Sequence, residues 1–175
     1  DVLWDKPEQR GDALQLYRFA ACLGERDENH ARSYLTASRH LHRTDEALRF
    51  LEDRFRRFGK LKSWAAQTLI WAYEVLDRTD DAFKILDEAL ADRGEDGEFL
   101  LFAAEFNSRY GRHQRGRELL AAAKDKSHAT GWLRTAAMIE TNEGNLQEAL
   151  GQWKKVLAAE PLARRPVDFD TEAED

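Results

Sequence analysis

The side chains of this sequence able to do chemistry are few and scattered. Its 175 residues hold five histidines, His30, His40, His42, His113 and His128, and one cysteine, Cys22. Imidazole and thiolate are the usual ligands of zinc, but a site needs three or four donors converging. No pair of these histidines stands at ligand spacing with a third donor nearby, and surface or capping roles account for them. No metal and no cofactor is expected. A single thiol rules out an intramolecular disulfide. There is no glycine-rich phosphate loop and no turn of the kind that exposes a nucleophilic serine, so the chain itself reads as non-catalytic.

Two segments imitate chemistry more closely. Asp168-Phe169-Asp170-Thr171 carries the aspartate pair of haloacid-dehalogenase phosphatases, but that pair must follow a buried strand and precede a large α/β domain. Here Arg164-Arg165-Pro166-Val167 precedes it and the chain ends at Asp175. An acidic disordered tail is the simpler reading. The run Arg54-Phe55-Arg56-Arg57-Phe58-Gly59-Lys60-Leu61-Lys62 interleaves aromatic and basic residues, a pattern able to meet phosphates and stacked bases. It also reads as a helix end, with cations against the dipole and Gly59 as a left-handed stop. The formal charge of −6 favours the second reading, because nucleic-acid binders gain affinity from clustered Lys and Arg. Nucleic acid is therefore disfavoured as a partner.

The elements that carry these residues are legible from composition and period. Hydrophobic residues make up 42% and charged residues 34%, with three prolines, a mixture suited to soluble helices. No apolar run approaches the ~20 residues that span a bilayer, and Asp-Val-Leu-Trp-Asp at the start has none of the regions of a signal peptide. A cytoplasmic protein is expected, and without an initiator Met the chain reads as an excerpt from a longer one.

A small residue recurs after polar or acidic ones at Ala13, Ala47, Ala82, Gly116 and Ala149, at intervals of 34, 35, 34 and 33. Each full marker opens an amphipathic stretch, such as Leu48, Leu51 and Phe55, or Leu150, Trp153 and Leu157, at the three-and-four spacing of one helical face. Thr44 and Thr79 are expected to cap two of these helices, with Asp45, Glu46, Asp80 and Asp81 complementing the dipole. A second helix is expected ahead of each marker, at about 28–42, 63–77, 97–110 and 129–142, with Ser63 capping the second of them. One leading helix runs from about Pro7 to Leu23.

This pattern resembles the tetratricopeptide repeat, two antiparallel helices in about 34 residues. The last copy is the nearest match: Trp132-Leu133, Ala136-Ala137, Gly144-Asn145, Ala149, Trp153 and Pro161 fall in the family's order. The second has Leu69-Ile70, Tyr73, Ala82, Leu86 and Ala89, with Asp77 replacing the turn glycine. The third keeps Gly111 but has Gly116 for the alanine. The first has His42 at the turn and Arg54 where a small residue is usual.

The resemblance implies an all-α fold, a right-handed superhelix, or α-solenoid, of antiparallel helical hairpins. Residues 1–27 would be a leading half repeat, followed by hairpins at about 28–61, 62–94, 95–127 and 128–161 and an acidic tail over 162–175. The half-a-TPR variety is the alternative, on the strength of Phe102-Ala103-Ala104-Glu105-Phe106 and Trp132 to Glu140, and would shift the setting towards RNA-processing assemblies. An ordinary helical bundle is the third option. No cap is evident at either end, so a continuing chain, another domain or a second copy is expected to cover the end hairpins.

Binding in this family uses the concave surface lined by the first helix of each hairpin. Its positions correspond here to Asn29, Arg32, Thr36 and Arg39, then Trp64, Gln67, Trp71 and Glu74. Leu101, Glu105 and Arg109 follow, then Arg134, Met138 and Thr141. Arg grips carboxylates through paired hydrogen bonds and Trp supplies large contact area, so a peptide or protein segment is the expected partner. The ordinary role for Trp64 or Trp71 is core, but Leu69, Ile70 and Tyr73 already form a competing stripe, so both are not expected inside. The carboxylate clamp of heat-shock co-chaperones is not reproduced, since Arg32 and Thr36 hold the matching positions. The leading function is thus a non-catalytic protein- or peptide-binding scaffold. The alternative is an accessory or oligomerisation domain of a larger enzyme.

Overall fold

A computed structural model describes residues 4–23, 28–60 and 62–159, which form nine α-helices and no strand. A short 3-10 turn, Pro7–Gln9, leads into α1 (Arg10–Leu23), α2 (Glu28–His40), α3 (Thr44–Phe58), α4 (Ser63–Val75) and α5 (Thr79–Arg93). Then follow α6 (Gly97–Arg109), α7 (His113–Ala123), α8 (Ala129–Asn142) and α9 (Leu146–Ala159). Pro161, the Asp168-to-Thr171 segment and the acidic tail lie outside the described residues. From α2 onward the helices pair into antiparallel hairpins, α2 with α3, α4 with α5, α6 with α7 and α8 with α9, an all-α fold of the α-solenoid class. None of these helices is long and apolar enough to cross a membrane.

One turn serves all four hairpins. His42, Asp77, Gly111 and Gly144 take φ of 56°, 56°, 75° and 82°. The N–H of the following residue, Arg43, Arg78, Arg112 or Asn145, donates 2.8 Å to the carbonyl five residues back. This is the Schellman arrangement, which satisfies the orphan carbonyls of the first helix. It also corrects the expected caps. Thr44, Thr79 and Ser63 are the first helical residues, while Arg43, Arg78 and Lys62 occupy the cap positions without a side-chain capping bond. Only one residue separates each left-handed His42 or Asp77 from the next helix, so the threonine falls inside it. In compensation Arg43 Nε donates to Glu46 at 2.9 Å and Arg78 Nε to Asp81 at 2.8 Å, pinning each helix start. Gly59 is not a left-handed stop either: its φ of −56° and ψ of −35° continue the right-handed turn.

The helices fall into two compact units, Asp1–Glu95 and Asp96–Asp175. In the first, α2 packs on α1, α3 and α4, and α4 packs on α3 and α5. The core combines small residues at the close approaches, Ala31, Ala47, Ala66 and Ala82, with Leu14, Tyr34, Leu35, Leu51, Leu69, Ile70 and Leu86 between them. Arg54, on the small-residue register, is buried and explains its own exception. Its guanidinium donates to the Ala21 carbonyl in the last turn of α1 and to the Glu28 carboxylate at the start of α2, and lies 5.8 Å from the Phe58 ring centre. The basic–aromatic run is therefore mostly structural. Phe55 is buried, Phe58 lies under Arg54, and Arg56 pairs with Asp53 at 2.9 Å.

In the second unit α6 packs on α7 and α8, and α8 on α7 and α9. Along α6, Phe99, Phe102, Phe106 and Tyr110 form a ladder with ring centres 5.8, 6.2 and 4.9 Å apart. Gly116 stands on the alanine register because α7 runs too close to α6 for a methyl: a Cβ there would lie 2.9 Å from the Ala104 carbonyl oxygen. Trp132 Nε1 donates to the Leu120 carbonyl at 2.9 Å, and Arg117 on α7 reaches the carboxylates of Glu140 and Glu143 at 2.9 and 2.7 Å.

Candidate functional site

The first helix of each hairpin lies beside the next within each unit, α2 against α4 and α6 against α8. Their outward residues define the two faces on which the expected binding positions fall.

On the face of the first unit, Asn29, Arg32, Thr36 and Arg39 are exposed on α2, while Trp64, Gln67, Trp71 and Glu74 are half-buried on α4. Neither tryptophan is core, and the competing stripe of Leu69, Ile70 and Tyr73 is buried instead. The Tyr73 hydroxyl donates 2.8 Å to Glu52, and burial first, then that carboxylate, push its pKa up to about 12. Arg32 and Trp71 meet across the two helices, with the guanidinium carbon 5.4 Å from the indole centre. The Thr36 hydroxyl donates back to the Arg32 carbonyl at 3.0 Å, which leaves its lone pairs turned outward.

Beside this pair is a cavity of about 350 Å³, lined on the α2 side by Asn29, Arg32, Ser33, Thr36, Ala37 and His40. Its other wall is Trp4 and Tyr17. The Trp4 ring centre lies 6.3 Å from that of Tyr17 and 6.0 Å from that of His40. Arg10 fixes Trp4 there: its Nε donates to the Trp4 carbonyl at 3.1 Å and its guanidinium carbon lies 5.7 Å from the ring centre. Of the expected positions, Asn29, Arg32 and Thr36 thus share one cavity with Trp71 behind Arg32. Arg39, Trp64, Gln67 and Glu74 are outside its lining.

Sequence reasoning missed Trp4, Tyr17, Ser33 and His40 as lining residues. Ser33 and His40 lie four and eleven residues after Asn29, on the same side of α2, and a helical wheel would have found them. Trp4 precedes the first helix, so no period reaches it.

On the second unit's face Leu101 is buried and packs towards Gly131, where an added Cβ would lie 3.2 Å from Leu101 Cδ1, so it belongs to the α6–α8 contact. Glu105 and Met138 are half-buried, and Arg109, Arg134 and Thr141 exposed. The Arg109 guanidinium carbon lies 5.6 and 5.9 Å from the Phe106 and Tyr110 ring centres, and the Thr141 hydroxyl donates to Ala137 at 2.8 Å.

The histidines do not gather. His113 Nδ1 lies 3.4 Å from the Ser108 hydroxyl, and the backbone N–H of His128 donates to the Glu98 carboxylate at 3.3 Å. Among the described residues no three His, Cys, Asp or Glu side chains converge as a metal site would require.

No protein-family model matches the chain, and no curated protein matches it in sequence. A search of solved structures finds similarity to the crystal structure of MamA protein, a tetratricopeptide-containing protein, at 17% identity. That similarity covers 89% of this chain and 87% of the other, with a TM-score of 0.51. The likeness establishes a tetratricopeptide-like helical-repeat fold for this chain.

Proposed function

We propose that this chain is a non-catalytic protein-interaction scaffold that holds a peptide segment of its partner on the face formed by α2 and α4. The observation that carries the reading is the Arg32–Trp71 pair beside an open cavity, since an exposed cation lying over a half-buried indole is a ready contact for a peptide. Thr36 completes this centre, while Arg39, Trp64, Gln67 and Glu74 extend it along the same face. Glu105, Arg109 and Arg134 would form the corresponding surface of the second unit. The test is a pull-down from the native source with the intact chain, Trp71→Ala and Arg32→Glu. Partners should be lost from both variants, and survival of every partner in both would reject the α2–α4 face.

A second reading, an accessory or oligomerisation domain of a larger enzyme, is favoured by a different observation. Leu16, Phe19 and Leu23 on α1, and Leu146, Leu150 and Leu157 on α9, are large apolar side chains left exposed at helical spacing. Under that reading partners would depend on these two stripes and would be indifferent to Trp71.

A further inference from the structure

We infer that the chain binds a second copy of itself head to tail, the exposed stripe of α1 in one copy packing antiparallel on the exposed stripe of α9 in the next. The inference rests on these two stripes being contact surfaces and is independent of the α2–α4 face.

Six of the seven large apolar side chains left exposed among the described residues lie on these two helices, Leu16, Phe19 and Leu23 on α1 and Leu146, Leu150 and Leu157 on α9. The repeat accounts for the second stripe. α3 packs on both α2 and α4, whereas α9 packs chiefly on α8, so Leu150 and Leu157 occupy a register that on α3 is covered by a neighbouring helix. The repeat does not account for the first. Phe19 and Leu23 follow Ala13 by six and ten residues. At the same offsets after Ala47 and Ala82 stand Asp53 and Arg57, then Glu88 and Asp92, all exposed. Inner copies thus leave these positions to water even with neighbours on both sides, and fill them with charge. A Phe 65% exposed and a Leu 72% exposed in their place mark a contact with another molecule.

The two stripes suit each other. α9 lacks a covering helix, and α1 is a helix with an apolar face to spare. Leu16, Phe19 and Leu23 repeat at three and four residues, and Leu146, Leu150, half-buried Trp153 and Leu157 at four, three and four, the spacing at which two helices interlock. Laid antiparallel with Leu23 beside Leu146 and Phe19 beside Leu150, Leu16 reaches Trp153. Asp12, one turn back along the α1 stripe, then comes level with the turn of α9 that holds Lys154, and both charges are exposed. A parallel alignment on the same leucines would carry Asp12 off the start of α9, away from Lys154. One helix face on another buries less than the roughly 1,200 Å² of a stable interface, so the Kd should be on the order of 100 μM and dilute chains stay separate. Each contact leaves one α1 and one α9 stripe unused, so association continues past the dimer.

The test is sedimentation equilibrium of the full chain from about 10 μM to about 1 mM, a range that brackets the weak interface expected. The mass should rise past the dimer. Phe19→Glu removes the α1 stripe and Leu150→Glu the α9 stripe, and each variant alone should remain monomeric. Their equimolar mixture should form dimers and stop there, because the intact α9 of the first meets the intact α1 of the second. Asp12→Lys should weaken association roughly twofold to fivefold, and Lys154→Asp in the same chain should restore it. Tyr110→Glu, at the seventh exposed apolar side chain, should change nothing. Should either glutamate disturb the circular dichroism, Phe19→Gln and Leu150→Gln take its place. Association of either variant alone overturns the inference, since α9 would then pair with α9 or α1 with α1. A monomeric mixture, a wild-type chain still monomeric at the highest concentration, or equal loss on Tyr110→Glu overturns it too. A monomeric chain that loses much of its stability on Leu150→Glu would mean that a segment of the same chain covers α9. If the chain is monomeric while Phe19→Glu or Leu150→Glu loses partners from the native source, the stripes stand as contacts for another protein and the second copy falls. If no partner is lost either, the stripes are not contact surfaces at all.

Discussion

Arg54 is the residue at which sequence pattern and physical need diverge most. The register asks for a small side chain, yet a buried guanidinium there joins the last turn of α1 to the first of α2. Removing one member of a buried pair leaves the other charged and dry. Arg54→Ala should therefore cost about 3–5 kcal/mol in urea unfolding, and a loss under 1 kcal/mol would show the pair to be ornamental. Arg117 poses the gentler case. It holds the Glu140 carboxyl below the ordinary carboxylate range, chiefly through their hydrogen bond and against burial. A depressed carboxylate contributes stability that is present above its unfolded pKa and is lost as pH falls through the folded one. The pair is partly exposed, so the contribution should be about 0.5–1 kcal/mol between neutral pH and the region below pH 4. Thermal melts of Glu140→Gln should lack that part of the acid slope, and an unchanged slope would exclude the pair as its source.

At the scale of elements, the turns carry the clearest expectations. Non-glycine residues pay roughly 1 kcal/mol for the left-handed region, less for Asp, which visits it more readily. His42→Gly should stabilise the first hairpin by about 0.5–1 kcal/mol and Asp77→Gly by less, whereas Gly111→Ala should cost about 1 kcal/mol. The opposite order in urea midpoints would mean that side-chain contacts hold these turns. Gly116→Ala is the complementary case. Helix propensity alone would reward it by about 1 kcal/mol, but the Ala104 carbonyl stands 2.9 Å from the new methyl. Net destabilisation of about 1–3 kcal/mol is expected, and a gain in Tm would mean that α7 moves away at little cost. Sequence located the turn glycines and their substitutes, because the 34-residue beat aligns them. It misassigned the caps, because beat and composition say nothing about how many residues separate a left-handed turn from the next helix.

At the scale of the molecule, the repeat was legible because each helix buries a stripe against its neighbours, and such stripes impose a period. The candidate site was half legible for the same reason: Arg32, Thr36 and Trp71 lie on helices whose faces can be counted, while Trp4 is placed by a carbonyl contact with Arg10 outside any period. The same counting exposes the ends. Leu48 and Phe55 follow Ala47 at the offsets by which Leu150 and Leu157 follow Ala149, yet the first two are 5% and 7% exposed and the second two 49% and 63%. Leu150→Glu and Leu157→Glu should leave the unfolding free energy within about 0.5 kcal/mol of the parent while improving solubility, whereas Leu48→Glu should unfold the first unit. A large loss from the α9 variants would show that something already covers that helix. Arg54 has one more implication, in the order of folding. Its partners lie 33 and 26 residues away, and a guanidinium cannot be stripped of water before both are in place. The hairpins, whose contacts are local, can close first, and α1 is then fastened by a late electrostatic latch. Arg54→Met should consequently accelerate unfolding and leave the refolding rate almost untouched, the signature in a chevron plot of a contact absent from the transition state.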